Sequence, residues 1–212
     1  VKLEGVKAED ETVKALSDKI ITDVDTRLGE VFAKTEVDLD GNRDPGVRTK
    51  ETNLGDLITD GILWYATKDG KLDVPTDHVV ALTNGGGIRA SIKAGDISMK
   101  DINTVLPFGN TVAVIYISGA SLLEALEAST YSLPTAIGGF PQVSGIRYTV
   151  VTGAKYDANA ETYPGSTYYG PKSIKRVTIE SINGKAFNPK DTYAVVTNDF
   201  TAAGGDTYYT FK

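Results

Sequence analysis

The apolar run "HVVAL" at positions 78–82 passes directly into "TNGGGIRASI", and this junction restricts the fold more than any other stretch of the chain. An apolar run this short, ended by glycines, suits a buried strand better than a helix. The three glycines give up packing and cost backbone entropy, so they belong where φ is positive or where something comes very close to the main chain. A plain turn and a ligand-holding loop both meet that description. Two further runs have the same β-branched character: "TVAVIYIS" at 111–118 is apolar on both faces, which predicts a central strand, and "DTYAVVTNDF" at 191–200 predicts another.

Helical periodicity separates these strands. Val13, Leu16, Ile20, Val24 and Leu28 recur at helical spacing with charges between them, which predicts a surface helix over 11–28. Val31, Ala33, Val37 and Leu39 alternate, so 30–40 reads as a half-buried strand, followed by the Gly/Asn/Asp/Pro loop "GNRDPGVRTKE". A second helix starts at Thr52 or Asn53 and sets Leu54, Leu57, Ile58, Ile62 and Tyr65 on one face. "DISMKDINTVLP" predicts a short helix capped by Ser98 and stopped before Pro107, and "GASLLEALEAST" another that opens at Ser118. From Ile146 onward strands dominate, with an Asn183-Gly184 hairpin turn and a polar Gly/Tyr-rich loop over 152–172. The sum is one α/β domain with mixed, largely antiparallel sheets flanked by helices.

Composition excludes several functions. The 212 residues are 41% hydrophobic and 24% charged, ordinary globular usage with enough length for a real core. A net charge of −6 without basic clusters argues against a nucleic-acid partner. No stretch approaches the roughly 20 apolar residues of a membrane span, and the first residues lack a signal-peptide pattern. There is no cysteine and one histidine, His78, so thiolate catalysis, Cys-ligated zinc and multi-imidazole metal sites cannot come from this chain.

Three loops share one character. "NGGGIR" at 84–89, "LPFGN" at 106–110 and "NDFTAAGGD" at 198–206 each follow or precede an apolar element, and the last two hold a phenylalanine on a stiff turn. Taken singly, each also reads as a connecting turn. Together they suggest a ligand: two phenylalanines can sandwich a flat ring, an aspartate after two glycines can accept hydrogen bonds from sugar hydroxyls, and Arg48 and Arg89 can grip a phosphate. Ring, sugar and phosphate make a nucleotide.

In order, "RTKETNLGDLITDG", "TNGGGIRASIKAGDIS", "VLPFGNTV", "FPQVSGIRY" and "NDFTAAGGD" resemble the motifs of the C-terminal domain of the 5'-nucleotidase and UDP-sugar hydrolase family, over about residue 30 to the end. The resemblance implies that Phe108 and Phe200 clamp the base, Asp206 holds the ribose hydroxyls, Asn84 reaches the base, and Arg48 and Arg89 lie near the ribose and phosphates. Glycines 85–87, Gly86 among them, would let the backbone turn beside the ligand. In the family, chemistry belongs to an N-terminal metallophosphatase domain that binds two divalent metal ions through DxH, GNHE and HxH motifs, none of which occurs here.

The resemblance therefore implies a substrate-specificity domain over 31–212, an interdomain connector over 1–30, and a metallophosphatase partner in cis that lies outside this chain. The fragment alone is expected to be inactive, the whole protein a secreted, periplasmic or surface hydrolase. Two alternatives stay open: a 2',3'-cyclic-nucleotide 2'-phosphodiesterase/3'-nucleotidase, or a non-catalytic nucleotide-binding module. Lys50 stands where some members carry a second arginine, and Thr207 follows "GGD" where glycine is common.

Overall fold

The computed structural model describes residues 10–70, 72–156, 162–163 and 172–212. The first connector residues and much of the polar loop at 152–172 lie outside the described residues.

At its centre is a four-stranded sheet in the order β4-β8-β2-β5, formed by β2 (Val79–Asn84), β4 (Val112–Ser118), β5 (Pro141–Ser144) and β8 (Thr192–Asn198). β2 and β8 run parallel, and the two outer pairings are antiparallel. Alternate side chains face opposite layers. Val80, Leu82, Tyr193 and Val195 pack against α4 (Gly119–Thr130) and against the hairpin β6 (Ile146–Val150) and β7 (Val177–Ile182). Val79, Ala81, Ala194 and Val196 turn the other way, toward Ile62, Leu63 and Ala66 of α2 (Asn53–Thr67). A second, smaller core holds Leu39, Val47, Leu54, Ile88, Ile92, Ile97 and Val105. It lies beside the antiparallel pair β1 (Val31–Thr35) and β3 (Gly95–Ser98) and the helix α3 (Met99–Val105).

Helices begin where the capping residues predict. Thr52 accepts from the Gly55 amide, Ser118 from Ser121, and Ser98 forms a reciprocal capping box with Asp101. The Asn183-Gly184 turn has both φ angles positive, at 47° and 75°, as a two-residue hairpin of the primed kind requires. The helix over 11–28, α1 (Glu11–Leu28), is present and buries no residue, its Val13 being 65% exposed; an ion pair from Asp25 to Lys100 ties it to α3.

Four readings change. β4 is an edge strand, not a central one: Val112 and Tyr116 are exposed while every residue of β2 is buried. Its apolar pattern on both faces survives because Ile115 and Ile117 meet one core and Val114 the other. α2 turns Leu54, Ile58 and Ile62 inward as read, but not the whole stripe. Leu57 and Tyr65 are 53% and 56% exposed, while Gly55 and Thr59 are buried. Small residues on that face let the helix approach the sheet, so close that a Cβ at Gly55 would lie 2.0 Å from the Gln142 amide oxygen. "DIS" pairs as β3 before α3 begins, and the strand read over 30–40 ends at Thr35, with Leu39 making one bridge to Ile92. β5 had no signal, being four residues that open on a proline.

Candidate functional site

The site follows from the strand register. Asn84, the last residue of β2, pairs with Pro141, the first of β5, and Asn198, the last of β8, pairs with Val112, the first of β4. All four strands therefore release or receive their loops at one end of the sheet. That end carries the glycine loop, the turn with Phe108, the segment with Gly138 and the turn with Phe200. Ligands of open α/β sheets sit outside the carboxyl ends of parallel strands, and β2 and β8 both end here. A cleft of about 400 Å³ opens among Arg48, Asn84, Gly86, Gly87, Arg89, Phe108, Asn110, Gly138, Phe200 and Asp206. All seven residues singled out from the sequence line it.

The two phenylalanines stand out from the protein, Phe108 59% and Phe200 46% exposed. Phe108 sits before Gly109, whose φ of +64° sharpens the turn. The Arg89 guanidinium lies 5.6 Å above its ring, and Arg89 Nη1 donates to the Gly86 carbonyl at 3.2 Å. Phe200 lies in α5 (Asp199–Ala202), one helical turn that Asn198 caps through its side-chain oxygen and the Thr201 amide, 2.8 Å away. Its ring folds over Gly205, where a Cβ would come within 2.6 Å of Cζ.

Asp206 has φ of 50°, in the left-handed region that non-glycine residues seldom adopt. Asn84 holds it there: Asn84 Nδ2 donates to Asp206 Oδ2 at 2.8 Å, while Asn84 Oδ1 accepts from Asn198 Nδ2 at 3.1 Å and from the Thr201 hydroxyl at 3.4 Å. Asn84 is 4% exposed. It acts first as the holder of Asp206.

Arg48 sits half-buried in the cleft wall. Burial lowers its pKa from the usual arginine value, the nearby Arg43 and Arg89 add to that, and Asp206 opposes them. Its Nε is buried without a hydrogen-bond partner among the described residues. Two guanidinium groups, Arg48 and Arg89, thus share the cleft with one carboxylate, and Arg43 acts electrostatically on Arg48, an arrangement suited to an anion. Gln142 fixes the segment that carries Arg48: its Nε2 donates to the carbonyls of Val47 and Lys50 at 3.1 and 2.7 Å, and its Oε1 accepts from the Thr52 amide at 3.1 Å.

None of glycines 85–87 has a positive φ. Gly85 and Gly86 are needed because backbone crowds them: a Cβ would lie 1.8 Å from the Val47 carbonyl oxygen at the first and 3.0 Å from that of Gly138 at the second. Their amides donate to Phe140 and Gly138, both at 2.7 Å. The close approach read from the sequence is thus, at these two positions, an approach of protein to protein, with Gly86 also in the cleft wall.

Sequence reading passed over Arg43, Asn110, Gly138, Gln142 and Asn198. Asn198 carried a signal, a capping residue ahead of a phenylalanine turn; Gln142 carried none, because only the fold brings 142 beside 47–52. Among the described residues no group of three or more His, Cys, Asp or Glu could hold a metal ion. His78 precedes β2, one strand length or about 20 Å from Asn84, and faces Asp191 at 3.9 Å and the Tyr193 ring.

The family described as the C-terminal domain of 5'-nucleotidase matches residues 31–212. The chain is 40% identical over 205 residues to a trifunctional nucleotide phosphoesterase protein of Bacillus subtilis, covering 96% of this chain and 13% of that protein. It is 31% identical to a snake venom 5'-nucleotidase of Macrovipera lebetinus, covering 96% of this chain and 48% of that one. A 5'-nucleotidase precursor of Thermus thermophilus, solved as a crystal structure, superposes with a TM-score of 0.70 at 36% identity over 95% of this chain and 35% of its own. The chain spans less than half the length of each of these relatives.

Proposed function

The chain belongs to the 5'-nucleotidase C-terminal domain family, and on that premise we propose that it is the substrate-binding and specificity domain of a 5'-nucleotidase-type phosphohydrolase. In this reading the base lies between Phe108 and Phe200, the ribose hydroxyls bond to Asp206, and Arg48 and Arg89 hold the phosphate. The observation that carries it is the meeting of two exposed phenylalanines, one carboxylate and the arginines in a single cleft. Exposed aromatic rings gain little from water and much from a flat ligand, roughly 1 to 3 kcal/mol per stacked base. A carboxylate accepting from two hydroxyls adds charge-assisted hydrogen bonds.

Hydrolysis belongs in this reading to a metallophosphatase domain in the longer protein. Two divalent ions there would polarise the phosphoryl oxygen and supply an activated water; the described residues of this chain offer nothing to hold them. The venom relative supports a protein that acts outside the cell or at its surface. Its likeness to a trifunctional nucleotide phosphoesterase supports a second reading, in which the same cleft also presents other nucleotide phosphoesters, cyclic 2',3'-phosphates among them.

The test uses the longer protein that includes the metal domain. Phe108→Ala and Phe200→Ala should each raise KM for nucleotides roughly 5- to 150-fold, the factor for about 1 to 3 kcal/mol. A simple aryl phosphate, which has no base to stack, should lose little. Equal losses on both substrates would show the loops to be structural turns. The 212-residue chain alone should release no phosphate from adenosine 5'-monophosphate above a protein-free control.

A further inference from the structure

We propose that Asn198 is a positioning residue that couples the two halves of the cleft, the aromatic wall at Phe200 and the sugar-binding carboxylate at Asp206. The proposal rests on the nucleotide reading above. Asn198 closes β8 beside the end of the parallel strand β2, and its side chain uses both ends of the amide. Its oxygen caps the turn that presents Phe200, accepting from the Thr201 amide at 2.8 Å. Its nitrogen donates to the Thr83 hydroxyl and to Asn84 Oδ1, both at 3.1 Å.

The second donation, the shorter of two that reach Asn84 Oδ1, favours one orientation of the Asn84 amide, and the Thr201 hydroxyl at 3.4 Å adds to it. With Asn84 Oδ1 engaged by a donor at Asn198, only Nδ2 is left to meet Asp206, and it does so at 2.8 Å. Reversed, the Asn84 amide would turn an oxygen toward a carboxylate, two acceptors with no proton between them. Asn198 therefore sets the Asn84 amide, and the Asn84 amide sets Asp206 in its left-handed backbone conformation. One side chain thus aligns two ligand contacts, Phe200 and Asp206, that lie two and eight residues beyond it in sequence.

Two substitutions separate the two roles. Asn198→Ala removes the cap and the donor together. Asn198→Asp keeps an oxygen for the Thr201 amide but replaces the donor facing Asn84 by an acceptor, so two carboxylates compete for Asn84 Nδ2 and the Asn84–Asp206 hydrogen bond is weakened.

The experiment measures binding to the 212-residue chain by NMR titration with three probes: adenosine 5'-monophosphate, its 2',3'-dideoxy analogue, and ribose 5-phosphate. The ratio of the first two dissociation constants reads the sugar contact, and the ratio of first to third reads the base contact. In the unsubstituted chain both ratios should favour the nucleotide, the sugar ratio by about tenfold or more, tenfold being the least expected of one hydrogen bond to a charged group. Asn198→Ala should bring both ratios toward one. Asn198→Asp should lower the sugar ratio and leave the base ratio within about twofold, inside the usual scatter of such comparisons. Both ratios unchanged in a folded variant, or both lost equally in Asn198→Asp, overturns the proposal. Should Asn198→Ala fail to fold, Asn198→Asp decides alone, since it retains the cap. If the unsubstituted chain shows neither preference, the nucleotide reading falls, and this proposal with it; preferences that are present but indifferent to Asn198 sink this proposal only.

Discussion

Replacing Gln142 by leucine removes three hydrogen bonds at once while keeping nearly the same volume in the core. Gln142 is 1% exposed and, among the described residues, its side chain bonds to main chain: the Thr52 amide, the Val47 carbonyl and the Lys50 carbonyl. The first two are buried, and each buried group left unsatisfied costs about 1 to 3 kcal/mol. Lys50 is exposed, so its carbonyl can turn to water, and its loss is near the net worth of an ordinary hydrogen bond, about 1 kcal/mol. Leucine returns about 1 kcal/mol through its apolar atoms. The net loss is roughly 2 to 5 kcal/mol, since such terms do not add in full. For a domain of this size that lowers Tm by about 5 to 15 °C. Urea unfolding measures it directly, with an unchanged m-value expected because the same surface is exposed on unfolding.

The companion variant Gln142→Glu makes the same three contacts depend on pH. A carboxylate there keeps the acceptor for Thr52 but faces two carbonyls where a donor stood, so burial and those oxygens push its pKa up. A carboxyl with a raised folded pKa binds its proton more tightly in the folded state than in the unfolded one, so stability is greater at low pH and falls as pH rises through the folded pKa. The glutamate variant should be closer to the parent at pH 5 than at pH 8. A leucine variant within about 1 kcal/mol of the parent, the value of a single ordinary hydrogen bond, would refute the reasoning that these three bonds hold the Arg48 segment.

Gly205→Ala places a Cβ 2.6 Å from the Phe200 ring, so nucleotide affinity should fall about as far as in Phe200→Ala, roughly tenfold or more, while circular dichroism stays that of the parent. Gly61 lies inside α2 with no atom within 4 Å of a built Cβ; Gly61→Ala should stabilise by about 0.5 to 1 kcal/mol in urea unfolding, through helix propensity. Asp56 has its pKa raised, first by burial and then by Glu51 and Asp60. Its folded state holds the proton more tightly than the unfolded one, so stability is lost as pH rises through the folded pKa. Asp56→Asn should therefore raise Tm at pH 7 and leave it nearly unchanged at pH 3.

Local chemistry was legible in the sequence, and long-range proximity was legible only in part. Thr52, Ser98 and Ser118 start helices because a side-chain oxygen satisfies orphan amides two or three residues away, and Asn183-Gly184 turns because those residues tolerate positive φ. Such causes act within a few residues, so the chain states them outright. That Phe108, Phe200, Asp206 and the arginines meet in one cleft was legible for a different reason: they are residue types that loops spend on ligands, set in motifs whose resemblance brought them together before any distance was known. The sheet order was not legible. Periodicity reports how many faces of a strand meet apolar neighbours, and β4 meets them on both faces while lying at the edge. Nor does a helical stripe say which residues face the sheet when glycine and threonine allow closer packing than leucine and tyrosine. Gln142 beside 47–52, and Asn198 beside Asn84, exist only because strand register places residues 90 or more apart within hydrogen-bonding distance. By itself the sequence determined most of the elements, their caps and seven of the ten residues that line the cleft. Only the tertiary structure decided which of those side chains hold the others in place, because a hydrogen bond depends on ångströms that register and packing set and that local pattern does not carry.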